Sequence, residues 1–461
     1  MRVARRSLFS LHGASWLLLT TAAWSLVPGG ALAQAAPGPD ASGVHAPMPA
    51  PGPTPPLGPT PPPGTLPPVR SKWYWLTRWF DPSTAPFIPV PEIATDPDSG
   101  TTLGILPTVL LTNDKHEIDR IIAPDLLHNP NFGFGFHARM YDYVSPDEQW
   151  SVIGGAKQRV ERELELEYEI GRSRQDRWSF TGSLAYDRDG TPRFYGVGNR
   201  TREPDQTNYT AEQKFVQGQL GYNFNPFWQL LYTARLRVID VLPGTISDVP
   251  SIETRYGREQ LGTNHEVLNR LSLIFDNLDD LTIPSRGVKL VAYAGIASNS
   301  GLFNETAYSE MGVDGRAFMP IADRTILATH LALRYLPVTH EVPFWALSSI
   351  GGGDSSVGGP QPLRGFGGGR FYDRNSFSYS VEVRRNIFDF NAISTHVEIE
   401  MAPFVDMGRV FSKSGTSPIS HLHTIGGVGF RGIARPYVVG YVDIGYGSEG
   451  SAVFTGINYP F

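Results

Sequence analysis

The chain has 461 residues and no cysteine, so neither a disulfide framework nor a thiolate metal site holds it together. Its formal net charge is −6, with both signs spread along the chain and no basic block to track phosphates, which speaks against nucleic-acid binding. Charged residues are 18% of the total, below the roughly 25% of soluble proteins, while 49 glycines and an 11% aromatic share recur in strand-like segments.

Residues 1–33 read as a signal peptide. Arg2, Arg5 and Arg6 form its basic start, Ala14 to Val27 its apolar segment, and Ala31-Leu32-Ala33 a small-x-small cleavage pattern. The apolar run is short for a membrane-anchoring helix, so export with cleavage is expected. Residues 34–71 are mostly proline, glycine, alanine and threonine, a composition that cannot bury a core and predicts a disordered tether. Residues 72–100 form an aromatic-rich linker or periplasmic plug segment. Its run Lys72-Trp73-Tyr74-Trp75-Leu76-Thr77-Arg78-Trp79-Phe80 suits either an interfacial anchor or a segment packed on the mouth of the next domain.

From 101 to 461 the pattern is strand, turn, strand. The predicted strands are 101–112, 131–143, 150–158, 163–172, 177–188, 208–224, 227–240, 264–276, 286–298, 304–318, 324–336, 374–388, 394–406, 422–434, 436–446 and 451–461, about sixteen in all. Leu164, Leu166, Tyr168 and Ile170 alternate with Glu163, Glu165, Glu167 and Glu169. Four carboxylates on one strand face repel in a dry core, so that face must be wet. No run of about 18 apolar residues follows the signal, which leaves a soluble periplasmic protein or a membrane barrel. Long connections (189–207, 241–263, 337–373, 407–421) alternate with tight ones such as Asn225-Pro226, and the last strand closes on Ile457, Tyr459 and Phe461. This arrangement predicts an all-β fold, a transmembrane antiparallel β-barrel over residues 101–461.

One stretch stands apart. Gly351 to Arg385 begins as a glycine-rich loop around Leu363-Arg364-Gly365-Phe366. It continues as a strand with Phe377, Tyr379, Val381 and Val383 on one face and Ser378, Ser380, Glu382 and Arg384 on the other.

With these motifs the barrel region resembles the BamA/TamA superfamily, the bacterial surface antigen barrels. Leu363-Arg364-Gly365-Phe366 is similar to the family's sixth-loop motif, between the eleventh and twelfth predicted strands. Ser380 to Arg384 is similar to its S-x-E-x-R strand. Phe404, Asp406 and Gly408 fit the F-x-D-x-G of the thirteenth strand. Asp276 to Gly287 resembles the periplasmic turn marked by Asp276, Pro284, Arg286 and Gly287, although Leu278 stands where arginine is usual. Gly426 to Arg431 and the loop Arg193 to Asn199 match as well, and Ile457, Tyr459 and Phe461 look like the C-terminal assembly signal. The proline-rich stretch before the barrel departs from the POTRA modules that family members carry there.

The resemblance implies that Arg364 folds into the lumen against Asp406, with Glu382 and Arg384 as lumenal neighbours. It also implies a monomeric outer-membrane barrel that assists insertion, assembly or translocation of proteins, with no catalytic residue, metal or cofactor. A passive pore or anchoring barrel is the alternative. Expected partners are outer-membrane lipids and lipopolysaccharide, client proteins and periplasmic factors, and no nucleic acid. A rim enzyme built on Asp354, Ser355, His421 and His423 is disfavoured, because no G-x-S-x-G elbow accompanies them. The pair His421 and His423 lacks the further ligands of a good metal site.

Overall fold

The structure is a computed structural model. It describes residues 87–112, 118–145, 147–171, 173–280, 283–299, 306–338, 342–352, 363–392, 395–434 and 438–457. The predicted signal peptide, the tether, the aromatic run of 72–80, Asp354, Ser355, Tyr459 and Phe461 lie outside the described residues.

In chain order the strands are β1 (Phe87–Asp96), β2 (Gly100–Thr112), β3 (Ile118–Asn129), β4 (Gly133–Ser145), β5 (Glu148–Lys157), β6 (Arg162–Ile170) and β7 (Trp178–Asp189). There follow β8 (Arg193–Phe194), β9 (Thr207–Asn223), β10 (Trp228–Pro243), β11 (Gly262–Asp276), β12 (Gly287–Ser298), β13 (Thr306–Ala322) and β14 (Thr325–Tyr335). The last are β15 (Ser348–Ile350), β16 (Phe371–Asp373), β17 (Asn375–Ala392), β18 (Thr395–Phe411), β19 (His423–Ala434), β20 (Val438–Gly447) and β21 (Gly450–Ile457). One antiparallel sheet holds 19 of them, and setting aside the two-residue β8 leaves eighteen wall strands among the described residues. Each wall strand pairs with the next, and β1 comes round beside β21 to close the barrel.

The sequence predicted about sixteen strands; the two extra ones are β1 and β3. β1 falls inside 72–100, so the wall begins before residue 101 and that stretch is not linker throughout. Both strands break the pattern that signals a strand. β1 carries Pro89 and Pro91, which cannot donate to a ladder, and β3 carries Pro124 amid irregular alternation. Pro89 pairs with Pro107 of β2. Among the described residues no register links β1 to β21, although the two strands stand side by side.

The pleat decides which side chains meet which solvent. On β6, Leu164, Leu166 and Ile170 are exposed outward, while Glu163, Glu165, Glu167 and Glu169 are half-buried on the inner face. Outward Trp178, Phe180, Leu184, Val216, Leu220 and Leu236 continue the apolar belt over β7, β9 and β10. No helix among the described residues is long and apolar enough to cross a membrane, and the exposed belt is what a lipid-facing wall requires. Aromatic pairs gather where short turns join the strands. Trp150 meets Tyr168 at 4.4 Å, Trp178 meets Tyr222 at 5.0 Å and Trp228 meets Phe275 at 5.0 Å between ring centres. Amphipathic rings at that level mark the rim of an apolar band.

The long connections lie at the other rim and fold inward. The β14–β17 connection contributes a buried turn, Phe344-Trp345-Ala346, and the β15–β16 hairpin. Phe344 packs against Phe194 and Tyr209 at 4.7 and 5.2 Å. Together with Val241, Ile252, Leu268 and Tyr308 they make the largest hydrophobic cluster among the described residues.

Candidate functional site

The Leu363–Phe366 stretch, the tip of the β14–β17 connection, packs against the inner face of the wall. By strand order that connection joins the thirteenth and fourteenth wall strands of eighteen, two later than predicted because β1 and β3 precede it. Leu363 and Phe366 anchor the tip in a second apolar cluster with Ile350, Phe371, Phe404, Val410 and Ile425. Main-chain bonds tighten it: Gly352 N–H donates to Phe366 O at 3.0 Å, and Leu363 N–H to Gly352 O at 3.1 Å. The tip touches the wall directly. A Cβ on Gly445 of β20 would stand 1.7 Å from the Arg364 carbonyl oxygen, so only glycine fits there. A Cβ on Gly365 would stand 2.5 Å from Ile425.

This approach delivers the Arg364 side chain to three carboxylates. Its Nε and Nη2 donate to Asp406 Oδ2 and Oδ1, both at 2.9 Å, and its main-chain N–H donates to Asp406 Oδ2 at 3.0 Å. Nη1 donates to Glu382 Oε2 at 3.0 Å and to Asp443 Oδ2 at 2.8 Å. Ser380 Oγ accepts from Nη2 at 3.2 Å and donates to Asp406 Oδ1 at 2.6 Å. The guanidinium lies over the Phe404 ring at 3.6 Å. Burial opposes the charge of Arg364, and Asp406, with Glu382 and Asp443, outweighs it, so its pKa is raised well above the ordinary arginine value.

Two more arginines balance the account of charge. Arg384 Nε donates to Glu382 Oε1 at 2.6 Å, and Arg431 pairs with Asp443 and, at 3.5 Å, with Glu382. All six groups are at most 1% exposed, three cations against three anions. Arg384 thus serves Glu382 and is a neighbour of Arg364 through it. Asp443 and Arg431 were not identified as partners in the sequence. Asp443 reads as inward on β20, but nothing local says that a loop 79 residues earlier reaches it.

The Arg193 to Asn199 loop closes over the same tip. Asn199 Oδ1 accepts from Val410 N–H at 2.9 Å, Gly198 N–H donates to Tyr372 O at 2.7 Å, and Arg193 Nη2 donates to Asp98 O at 2.5 Å. Buried Arg370 links the two loops, with Nη2 on Thr201 O at 2.9 Å and on Glu449 at 2.6 Å, its guanidinium 4.1 Å above the Tyr195 ring. His423 stacks on Phe371 at 3.9 Å and bonds the Asn199 carbonyl at 2.9 Å. His421 is exposed, with a positive φ of 52°. The two histidines support the plug and do not converge on one point.

At the opposite rim, the turn after β11 is bound by its acidic residues. Asp276 takes Leu278 N–H at 3.1 Å and pairs with Arg174 at 3.2 Å, while Asp279 accepts from Ser285 and Arg286 N–H at 2.9 and 3.0 Å. Gly287, at φ 112°, turns the chain back, Pro284 is buried, and the Arg286 side chain is exposed. Leu278 packs beside Phe318 and Ala328, and Ile283 meets Ile433 of β19. An apolar side chain at 278, where the family pattern has arginine, therefore has a place to go. Ile457 ends β21.

The profile of the Omp85 superfamily domain matches residues 148–432, well over half of the chain. No curated protein matches the chain in sequence. Among solved structures, BamA from Haemophilus ducreyi lacking POTRA domains 1–3 is similar with a TM-score of 0.50 at 13% identity, over 84% of this chain and 76% of that one. CdiB from Escherichia coli aligns with a TM-score of 0.40 at 12% identity, over 80% of this chain and 66% of that one. The lumenal arginine cluster spans Arg364 to Asp443, and all of it except Asp443 falls within the matched residues. The chain belongs to the Omp85 superfamily.

Proposed function

We propose that this barrel resides in the bacterial outer membrane, long loops outward and both ends of the barrel toward the periplasm, and assists insertion, assembly or translocation of proteins. The observation that carries this reading is the seam. β1, with Pro89 and Pro91, stands beside β21 without a ladder between them among the described residues. An edge of unpaired main-chain groups is a template for a further strand. The work is conformational, with no covalent step. A passive pore or anchoring barrel is the second reading, favoured by residues 35–69, whose proline-rich composition is unlike an α/β recruiting module.

The test is reconstitution of the purified protein into liposomes, followed by the folding rate of an added model barrel. Acceleration over empty liposomes is expected. A rate equal to that of liposomes holding an unrelated barrel overturns the insertion reading and leaves the passive one.

A further inference from the structure

Between the Arg193 to Asn199 loop and the β18–β19 connection lies a cavity of about 500 Å³. Arg200, Arg409, Lys413 and His421 line it, with Asp373 as its one carboxylate. Arg409 is only 7% exposed. Its Nη1 donates to Ser417 O at 3.1 Å and also to Ser420, both neutral partners. Among the described residues it forms no salt bridge, and Asp373, whose carboxylate accepts from the Arg374 N–H at 2.8 Å, attracts it only at longer range. Arg200 and Lys413 are exposed and likewise unpaired. The contrast with the lumen is direct: there Arg364, Arg384 and Arg431 bond their carboxylates directly, and here Arg409 has only Asp373, which attracts it through space without a salt bridge. A buried charge so weakly countered is costly unless an anion arrives from outside.

The place of Arg409 on its strand says where that anion comes from. The even residues Ala402, Phe404 and Asp406 point into the barrel and are buried. Ile399, Met401, Pro403, Val405 and Met407 form the opposite, lipid-facing row, and Arg409 is the next residue on it. From Ile399 to Arg409 the strand rises about 33 Å along its axis, or about 25 Å across a membrane at a tilt of about 40°, the height of a barrel's apolar band. Arg409 therefore stands at the level of headgroups on the long-loop side.

We propose that this cavity binds the phosphate group of an anionic lipid in the outward-facing leaflet. Arg409 supplies the buried charge, Arg200 and Lys413 the exposed ones, and Thr201 and Thr416 neutral donors at its wall. The site rests on the orientation given above but not on insertion activity, so its test and that of the folding assay fail independently.

The test titrates full-length protein in a zwitterionic detergent with bisphosphorylated lipid A and with its dephosphorylated counterpart, reading bound lipid by native mass spectrometry. The phosphorylated lipid is expected to bind about tenfold or more tighter, with the preference weakening as salt rises. The double variant R200E/K413E, which touches no buried contact, should lose that preference while keeping heat-modifiable migration. R409Q should lose it too, and if R409Q fails to fold the double variant decides. Equal binding of the two lipids, or a double variant that binds like wild type, overturns the proposal. Displacement of the lipid by an equal concentration of glucose 1-phosphate also overturns it, in favour of a soluble phosphoester.

Discussion

Two walls of the same lumen handle charge in opposite ways. On β17 to β20, Glu382, Asp406 and Asp443 meet Arg364, Arg384 and Arg431 in a dry cluster. On β6, Glu163, Glu165 and Glu167 line up with no ion pair among the described residues, and Asp187 stands beside Glu163 in register. Glu167 and Glu169 are served by Ser183 Oγ at 2.9 Å and Gln149 Nε2 at 2.7 Å. The acidic wall is half-buried, whereas the paired wall is sealed. The difference teaches that inward polarity has two uses in one barrel. Where a loop must be held, charges are matched and dehydrated; where the lumen stays wet, one sign is tolerated because water screens it.

The largest effect should come from breaking the paired wall. Arg364→Ala or Asp406→Ala each leaves buried charges unmatched, at a cost of about 3–5 kcal/mol, and should free the plug. The readouts are protease cleavage within 351–373 and single-channel conductance, both expected to rise. The double variant should cost less than the sum of the singles, since both remove one interaction. Additive losses would mean that Arg364 and Asp406 act separately. Gly445→Val should release the plug without altering any charge, because its side chain meets the Arg364 carbonyl. Unchanged cleavage of that variant would show that the close approach is not maintained in solution.

A smaller effect sharpens the other side of the comparison. Glu165→Gln, or the triple change at 163, 165 and 167, should alter stability by under about 1 kcal/mol, since no exposed or wet ion pair is lost. In a plug-free background such as Arg364→Ala it should reduce preference for cations over anions in reversal-potential measurements. A loss of stability comparable to Asp406→Ala would place β6 in the sealed class as well.

The smallest effect concerns the turn at 277–286. Burial raises the Asp279 pKa, and the hydrogen bonds from Ser285 and Arg286 outweigh it, leaving it below the usual aspartate value. A depressed carboxylate contributes its stability above the unfolded pKa and loses it as pH falls through the folded one. Asp279→Asn should therefore lower turn protection slightly at neutral pH and remove its shallow acid-side decline, both measured by hydrogen exchange.

How much of this was legible in the sequence depends on range. The alternation of Glu163 to Ile170 gave both wall faces directly, since a period of two needs no distant partner. The pairing of Arg364 with Asp406 and Glu382 followed from motif order, not from any local pattern. Asp443 and Arg431 escaped because their role depends on how β19 and β20 bring them to the tip. β1 and β3 escaped because proline masks a strand whose neighbours supply the register. The buried turn Phe344-Trp345-Ala346 reads as an apolar scrap in a long loop; only the packing of Phe194 and Tyr209 on it reveals its place.

The turn between β1 and β2 carries one more consequence. Asp98 there accepts from Arg193 through its carbonyl, and its carboxylate lies where a side chain on Gly367 would be. The first hairpin of the wall is thus finished by residues about a hundred and about 270 positions further along the chain. Asn199 and His423 meet across a gap of 224 residues. Contacts so distant along the chain form late and slowly. The cover over the first hairpin thus depends on the chain's final third being in place.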